Sequence, residues 1–347
     1  MRATQLPAAI ADEAHLETLL SEPTEHVVET LARVDGDIIV LGVGGKMGPT
    51  LARMARRAAD LAGSARRVIG VSRFTTSSQE TALHAHGVET IRCDLLDEDA
   101  VKGLPAAPNV IFMAGRKFGS TGGESLTWAM NCLVPAAACR RYASSRIVAF
   151  STGNVYGLTG VGLKGSREQD IPQPVGEYAM SCLGRERVFE HFSRTHGTQV
   201  ALLRLNYAVE MRYGILVDLA HQVLSGATVD LAMGYVNVIW QADANAMALA
   251  ALAHAASPPL VVNVAGPEEL SVRRATEALA RAFGKPVTFA GIESPDALLS
   301  NGVLGWSLLG PTRVDTARLI DWTADWMSRG QTTSGKPTHF ESRAGRF

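Results

Sequence analysis

Residues 37–48 read DIIVLGVGGKMG, and no other stretch restricts the fold as much. The apolar run Ile38 to Leu41 is unbroken. Such a run is typical of a strand buried on both faces, as in parallel sheets covered by helices. It passes straight into glycines and then into GPTLARMARRAADLAG, whose apolar residues recur at helical spacing. Strand, glycine turn and helix open a βαβ unit. Gly42, Gly45 and Gly48 have GxxGxxG spacing, and Met47 stands where the commoner GxGxxG would need its third glycine. Glycines here let the chain turn tightly and let backbone N–H groups approach a pyrophosphate, whose charge the helix N-terminus stabilises. Gly42, Gly44, Gly45, Lys46, Met47 and Gly48 are therefore the expected phosphate cradle.

The same alternation continues. RRVIGVSR, VETIRCDL, NVIFMAG, RIVAFST and QVALLRLNY read as strands, with helical patterns between them. The expected fold is α/β: a Rossmann-type doubly wound parallel sheet over 36–206, with returns near 236–265. A smaller α/β lobe is expected over 207–330, a helical extension over 1–35, and a flexible tail over 331–347. With 46% hydrophobic and 19% charged residues in 347, a sizeable core is affordable. A net charge of −1 removes the electrostatic case for nucleic acid or an anionic membrane. There is no apolar run of membrane-spanning length and no basic cap with an apolar run at the N-terminus. Four scattered cysteines without a CxxC pair suit a reducing compartment, so a cytoplasmic location is expected. The histidines show no metal-ligand spacing.

The end of the second strand selects the cofactor. An acid there would bond ribose hydroxyls and mark NAD. Here it is Ser72-Arg73. Arginine can bind a 2′-phosphate and stack on adenine, so NADP is the first expectation and NAD the second.

With GxxGxxG, Asp94-Leu95 after the third strand and STGNVYG after the fifth, the chain resembles the extended short-chain dehydrogenase/reductases, the NAD(P)-dependent sugar epimerase/dehydratase family. The resemblance spans roughly 36–330. It implies that Asp94, with Leu95 beside it, meets the adenine, and that Met113, Ala114 and Gly115 line the dinucleotide. It implies that Asn131 holds the active-site backbone and that Thr152 and Tyr178 are the catalytic hydroxyls. Asn154, Asn206 and Tyr207 would meet substrate, together with Lys117 and Arg212 from neighbouring loops. The resemblance also implies a homodimer through the helices of Asn131 and Tyr178, with Trp128, Leu133, Val188 and Phe189 at the interface.

One departure is serious. The family lysine four residues after the tyrosine is Cys182. A free tyrosine titrates near ~10, and a cation ~4 Å away lowers that by roughly 3 units at an effective dielectric of ~20. Cysteine supplies no such charge. Arg185, seven residues beyond Tyr178, lies near the same helix face and is one replacement; Lys117 is another. Cys182 itself is a candidate proton donor, or a packing residue. The expected function is an NAD(P)-dependent oxidoreductase or epimerase acting on a sugar or sugar-acid hydroxyl, a small carbohydrate in preference to a nucleotide sugar. The alternatives are a dinucleotide binder without turnover, and a dehydratase using transient oxidation with Glu177 as extra base.

Overall fold

A computed structural model describes residues 6–117 and 119–345. Its centre is a seven-stranded parallel sheet. The strands are β1 (Ile38–Leu41), β2 (Val68–Ser72), β3 (Glu89–Arg92), β4 (Asn109–Phe112), β5 (Arg146–Thr152), β6 (Gln199–Leu205) and β7 (Leu260–Val264). Their spatial order is β7-β6-β5-β4-β1-β2-β3. In register, Val40 faces Gly70 on one side and Ile111 on the other, and Thr152 faces Leu205. The order reverses between β1 and β4. In an open α/β sheet that reversal is where ligands bind, beyond the carboxyl ends of the strands. The expected α/β class is realised, and β7 lies at the sheet edge, paired with β6.

Two apolar cores flank the sheet. Ile39, Leu41, Phe112, Ile147 and Phe189 belong to one. Val40, Ile111, Val148 and Leu203 belong to the other, which continues without a break into the C-terminal lobe and the N-terminal helices. Those helices, Glu13–Leu20 and Glu25–Arg33, start on the caps of Asp12 and Thr24 and bury Leu16, Leu20, Val27 and Leu31. The extension is thus part of the main core. Residues 1–5 of it lie outside the described residues, as do 346 and 347 of the tail.

The tail departs from the expected free arm. From Gln331 to Gly345 it has no regular structure, yet Phe340 is only 3% exposed and packs into the main core. Tertiary contacts hold it where periodicity gave no signal.

The long helix of Asn131 is interrupted. A π turn spans Ala129–Leu133, with the Val134 N–H bonding back to the Ala129 carbonyl. Pro135 follows. It has no N–H to give the carbonyl four residues earlier, that of Asn131, and its ring crowds that carbonyl. The wider turn, which contains Asn131, relieves the clash.

Candidate active site

The glycine loop is built for close approach. Gly42 has φ +91°, and a Cβ there would lie 2.6 Å from the Ala114 nitrogen. A Cβ on Gly44 would fall 2.6 Å from Ser72 Oγ, and one on Gly48 2.1 Å from the Val43 carbonyl. Gly45 is open, its nearest neighbour 3.5 Å away. The loop ends at Met47, which precedes the helix Gly48–Leu61, with Pro49 in its first turn. Bare backbone and a helix N-terminus therefore face a cleft of about 320 Å³. Gly42, Gly45, Lys46, Met47 and Gly48 line it, as do Met113, Gly115, Tyr178 and Arg185. This cradle fits a dinucleotide pyrophosphate: side chains at Gly42, Gly44 and Gly48 would collide with Ala114, Ser72 and Val43 behind the loop, and one at Gly45 would enter the cleft.

Toward the other end of the loop, Ser72 adjoins Gly44. Arg73 is exposed and lies 3.9 Å from Asp94, so its charge is partly answered by that carboxylate. Asp94 also accepts from Leu96 N at 3.1 Å. Leu95 is buried in the core, where its side chain makes packing contacts. Ala114 is buried in the same core and contributes backbone to the cradle.

Tyr178 opens the helix Gly176–His196, whose start needs Gly176 at φ +83°. Its hydroxyl is hydrogen-bonded to Thr152, at the end of β5, and to the Cys182 thiol. Thr152 Oγ1 also accepts from the Asn154 N–H at 3.1 Å and from Asn154 Nδ2 at 3.0 Å. Burial raises the Tyr178 phenol well above its ordinary value and the thiol adds to the shift, while Arg185 and Thr152 oppose it. Cys182 is fully buried against Val155, Tyr156 and Tyr178. Burial also raises its thiol, which leaves it neutral and weakly nucleophilic.

The nearby cation is Arg185, not a surface arginine in a charged stretch. It is 6% exposed. Its guanidinium donates to the Phe150 carbonyl at 2.8 Å and to Asn131 Oδ1. Asn131, fully buried, also accepts from Arg116 N at 3.1 Å and donates to Ser181 Oγ at 2.8 Å. The π turn, the tyrosine helix and the loop after β4 are thereby tied at one point. Lys117 stands over Tyr178, its Nζ 5.9 Å from the ring centroid.

A second cavity, about 190 Å³, adjoins the cleft. Lys46, Met47, Lys117, Ser151, Tyr178 and Leu205 line both. Thr152, Asn154, Tyr207, Tyr213, Gln241 and Thr338 complete its walls with others. Lys46 Nζ lies 2.9 Å from the centroid of the Tyr213 ring. Burial lowers the Lys117 ammonium to about 8. Lys46 is also lowered to about 8, by burial first and then by repulsion from Lys336 and Lys117.

Three expectations need correction. Asn206 is 1% exposed and donates to Asn237 Oδ1 at 2.6 Å, inside a buried network that reaches Gly266 and Ser300. It braces the wall behind Thr152, since a Cβ on Gly153 would lie 3.0 Å from its Oδ1. Arg212 is held by Glu13 at 2.9 Å, Glu17 at 2.7 Å and Glu210 at 3.2 Å, which docks the N-terminal helix on the lobe. Phe189 is not an interface residue: it is fully buried, 5.2 Å from the Phe112 ring. Trp128 and Leu133 are exposed, at 38% and 61%. Glu177, the candidate extra base, accepts from Trp128 Nε1 at 2.5 Å. Sequence reasoning missed Tyr213, Gln241 and Thr338, which carry no motif.

Residues 38–209 match the model of the NAD dependent epimerase/dehydratase family. No curated protein matches the chain by sequence. Among solved structures, a dTDP-glucose 4,6-dehydratase from Streptomyces venezuelae with NAD bound superimposes with a TM-score of 0.72 at 20% identity, covering 84% of this chain and 97% of that one. A UDP-glucose 4-epimerase from Thermotoga maritima with UDP-glucose gives 0.70 at 17%, covering 85% and 99%. A UDP-glucuronic acid 4-epimerase from Bacillus cereus in complex with NAD gives 0.70 at 19%, covering 84% and 96%. At these identities the likeness carries the fold.

Proposed function

Residues 38–209 belong to the NAD dependent epimerase/dehydratase family, which makes the chain an enzyme of the extended short-chain dehydrogenase/reductase type, and on that premise we propose that it moves a hydride between a nicotinamide dinucleotide and a carbohydrate hydroxyl. One observation carries the reading. The Tyr178 hydroxyl, hydrogen-bonded to Thr152, lines both the glycine-cradled cleft and the cavity next to it. A proton-transfer group thus stands between a dinucleotide site and a substrate site. A binder without turnover has no use for that arrangement.

The dinucleotide, held by Gly42 to Gly48 with Met113 and Gly115 alongside, supplies hydride donation or acceptance when bound. The rest falls to the chain. Tyr178 gives or takes the hydroxyl proton of the substrate, and Thr152 orients it. Arg185 provides the positive field that the missing lysine would have supplied, and as an arginine it stays charged throughout. Asn131 and the Phe150 carbonyl fix its position. Because the Tyr178 phenol is raised, the neutral acid is the resting form, ready to give its proton in carbonyl reduction, while alcohol oxidation needs it deprotonated first. Two of the three structural relatives above are complexed with NAD, while Ser72 and Arg73 support NADP here; paired titrations with NADH and NADPH discriminate, and Arg73→Ala should weaken NADPH selectively. Exposed Trp128 and Leu133 support a homodimer, which sedimentation tests.

The decisive variant is Tyr178→Phe. Turnover should fall about 100- to 10,000-fold with cofactor affinity unchanged. Unchanged turnover would remove Tyr178 from the mechanism.

A further inference from the structure

The cavity beside Tyr178 has a wall that the sheet does not supply. Beyond Gly330 the chain is irregular but fastened at successive points. Ser334 N donates to the Arg212 carbonyl at 2.8 Å. Thr338 donates to Asp218 twice, from its backbone N at 2.8 Å and its hydroxyl at 2.6 Å. Phe340 enters the core. Arg343 donates to the carbonyls of Ala232 at 3.1 Å and Asp296 at 3.0 Å, and to the Asp296 carboxylate at 2.5 Å. Gly345 abuts the start of the tyrosine helix, where a Cβ on Gly176 would lie 2.3 Å from its carbonyl oxygen. Between these ties, Lys117 Nζ sits 3.5 Å from the Thr338 carbonyl.

The cavity so enclosed is small and carries one sign of charge. Its volume of about 190 Å³ is below the ~300–1,000 Å³ usual for larger ligands. Its charged lining residues are Lys46 and Lys117, and no carboxylate lines it among the described residues. Three acids lie within electrostatic reach of the two lysines without lining the cavity: Asp218, bonded by Thr338, Glu210, held by Arg212, and Glu341, 3.6 Å from His339. Ser151, Thr152, Asn154, Tyr178 and Gln241 offer hydroxyl and amide groups in the same space. A neighbouring cavity of about 360 Å³ is lined by tail residues Ser334 to Pro337, Phe340 and Glu341, together with Asp218 and His221. The tail lines both cavities, the smaller one through Thr338.

We infer, resting on the hydride-transfer proposal, that segment 331–345 is a fixed wall of the substrate cavity, and that the cavity takes a small anionic polyol, one sugar ring carrying a carboxylate or phosphate, and not a nucleoside diphosphate sugar. The two ammonium groups repel each other in a partly desolvated space, which an anion between them relieves. A ring's hydroxyls then meet the polar side chains, and Thr338 stops the ligand from extending.

The test is a calorimetric titration of the full chain, saturated with NADH or NADPH, against D-glucuronate, D-glucose 6-phosphate, D-glucose and UDP-glucose. At least one of the two small anions should bind about tenfold or more tightly than glucose, as expected for a charge-assisted contact. Which anion binds identifies the group. Lys117→Met should remove that advantage. UDP-glucose should bind no better than glucose until the tail is released, in a chain ending at Gly330 or, where that fails to fold, in the double variant T338V/F340S. Equal responses to the anions and glucose, including none to either, overturn the inference; so does tight UDP-glucose binding to the intact chain, or an anion preference that survives Lys117→Met. Failure of both dinucleotides to bind would instead remove the hydride-transfer proposal itself.

Discussion

Cys182 stands where a lysine would lower the tyrosine's pKa, and the buried guanidinium of Arg185 lies about one turn further along the helix. A direct consequence concerns Arg185→Met. It leaves the Phe150 carbonyl without its side-chain donor, at about 1–3 kcal/mol, and removes the field that opposes the upward shift of Tyr178. Thermal stability should drop, and the rise of alcohol oxidation with pH should move to higher pH. Arg185→Lys keeps the charge and should move that profile less; equal displacement by both variants would show that charge is not what matters. Cys182→Lys, by contrast, places a second cation in a fully buried position next to Arg185. The expected outcome is lost stability without a faster reaction, read from melting and turnover together. Tyr178, Thr152 and Asn131 were legible because each sits in a motif at fixed spacing. Asn206 also sits in a motif, but its neighbours across the lobe, Asn237 and Ser300, are remote in sequence, and they decide where its amide points.

At the scale of elements, the glycine loop separates packing from binding. A Cβ on Gly48 meets the Val43 carbonyl at 2.1 Å, and backbone cannot step aside. Gly48→Ala should cost more than the 1–3 kcal/mol typical of overpacking, or leave no soluble protein. A Cβ on Gly45 meets nothing nearer than 3.5 Å. Gly45→Ala should therefore melt like the parent while losing dinucleotide affinity, because the side chain stands in the way of the pyrophosphate. A melting loss at Gly45 equal to that at Gly48 would contradict this division. The strands and helices of the sheet were readable because unbroken apolar runs alternate with helical periods. The π turn was not, since Pro135 reads only as a helix irregularity until the Asn131 carbonyl is seen to be the group it displaces. The tail was not either: its anchors are single residues, Thr338, Phe340 and Arg343, each with a distant partner.

For the whole molecule, the buried titratable groups set a pH profile. Lys46 and Lys117 have folded values near 8, below their ordinary values. The unfolded chain therefore binds more protons than the folded chain above about pH 8, and stability should rise with pH from there toward 10. Tyr178, Tyr207 and Tyr213 are raised by burial, so above their ordinary value near ~10 the unfolded chain loses protons first and stability should fall again. Melting temperatures from pH 7 to 11 in the ligand-free protein should trace that maximum, and a monotonic decline would contradict it. Lys46 is the more exposed of the two, which weakens its share through screening. Lys117 is the more sheltered of the two. Because one core runs from the N-terminal helices through the sheet into the lobe, a single melting transition is expected.

The central claim is that the glycine cradle and Tyr178 serve one nicotinamide-dependent site. Calorimetric titration of the purified chain with NADH and NADPH tests it most directly. The account predicts saturable binding of one dinucleotide per chain, retained in Tyr178→Phe and weakened in Gly45→Ala. Binding of neither dinucleotide, or binding indifferent to Gly45→Ala, would contradict it.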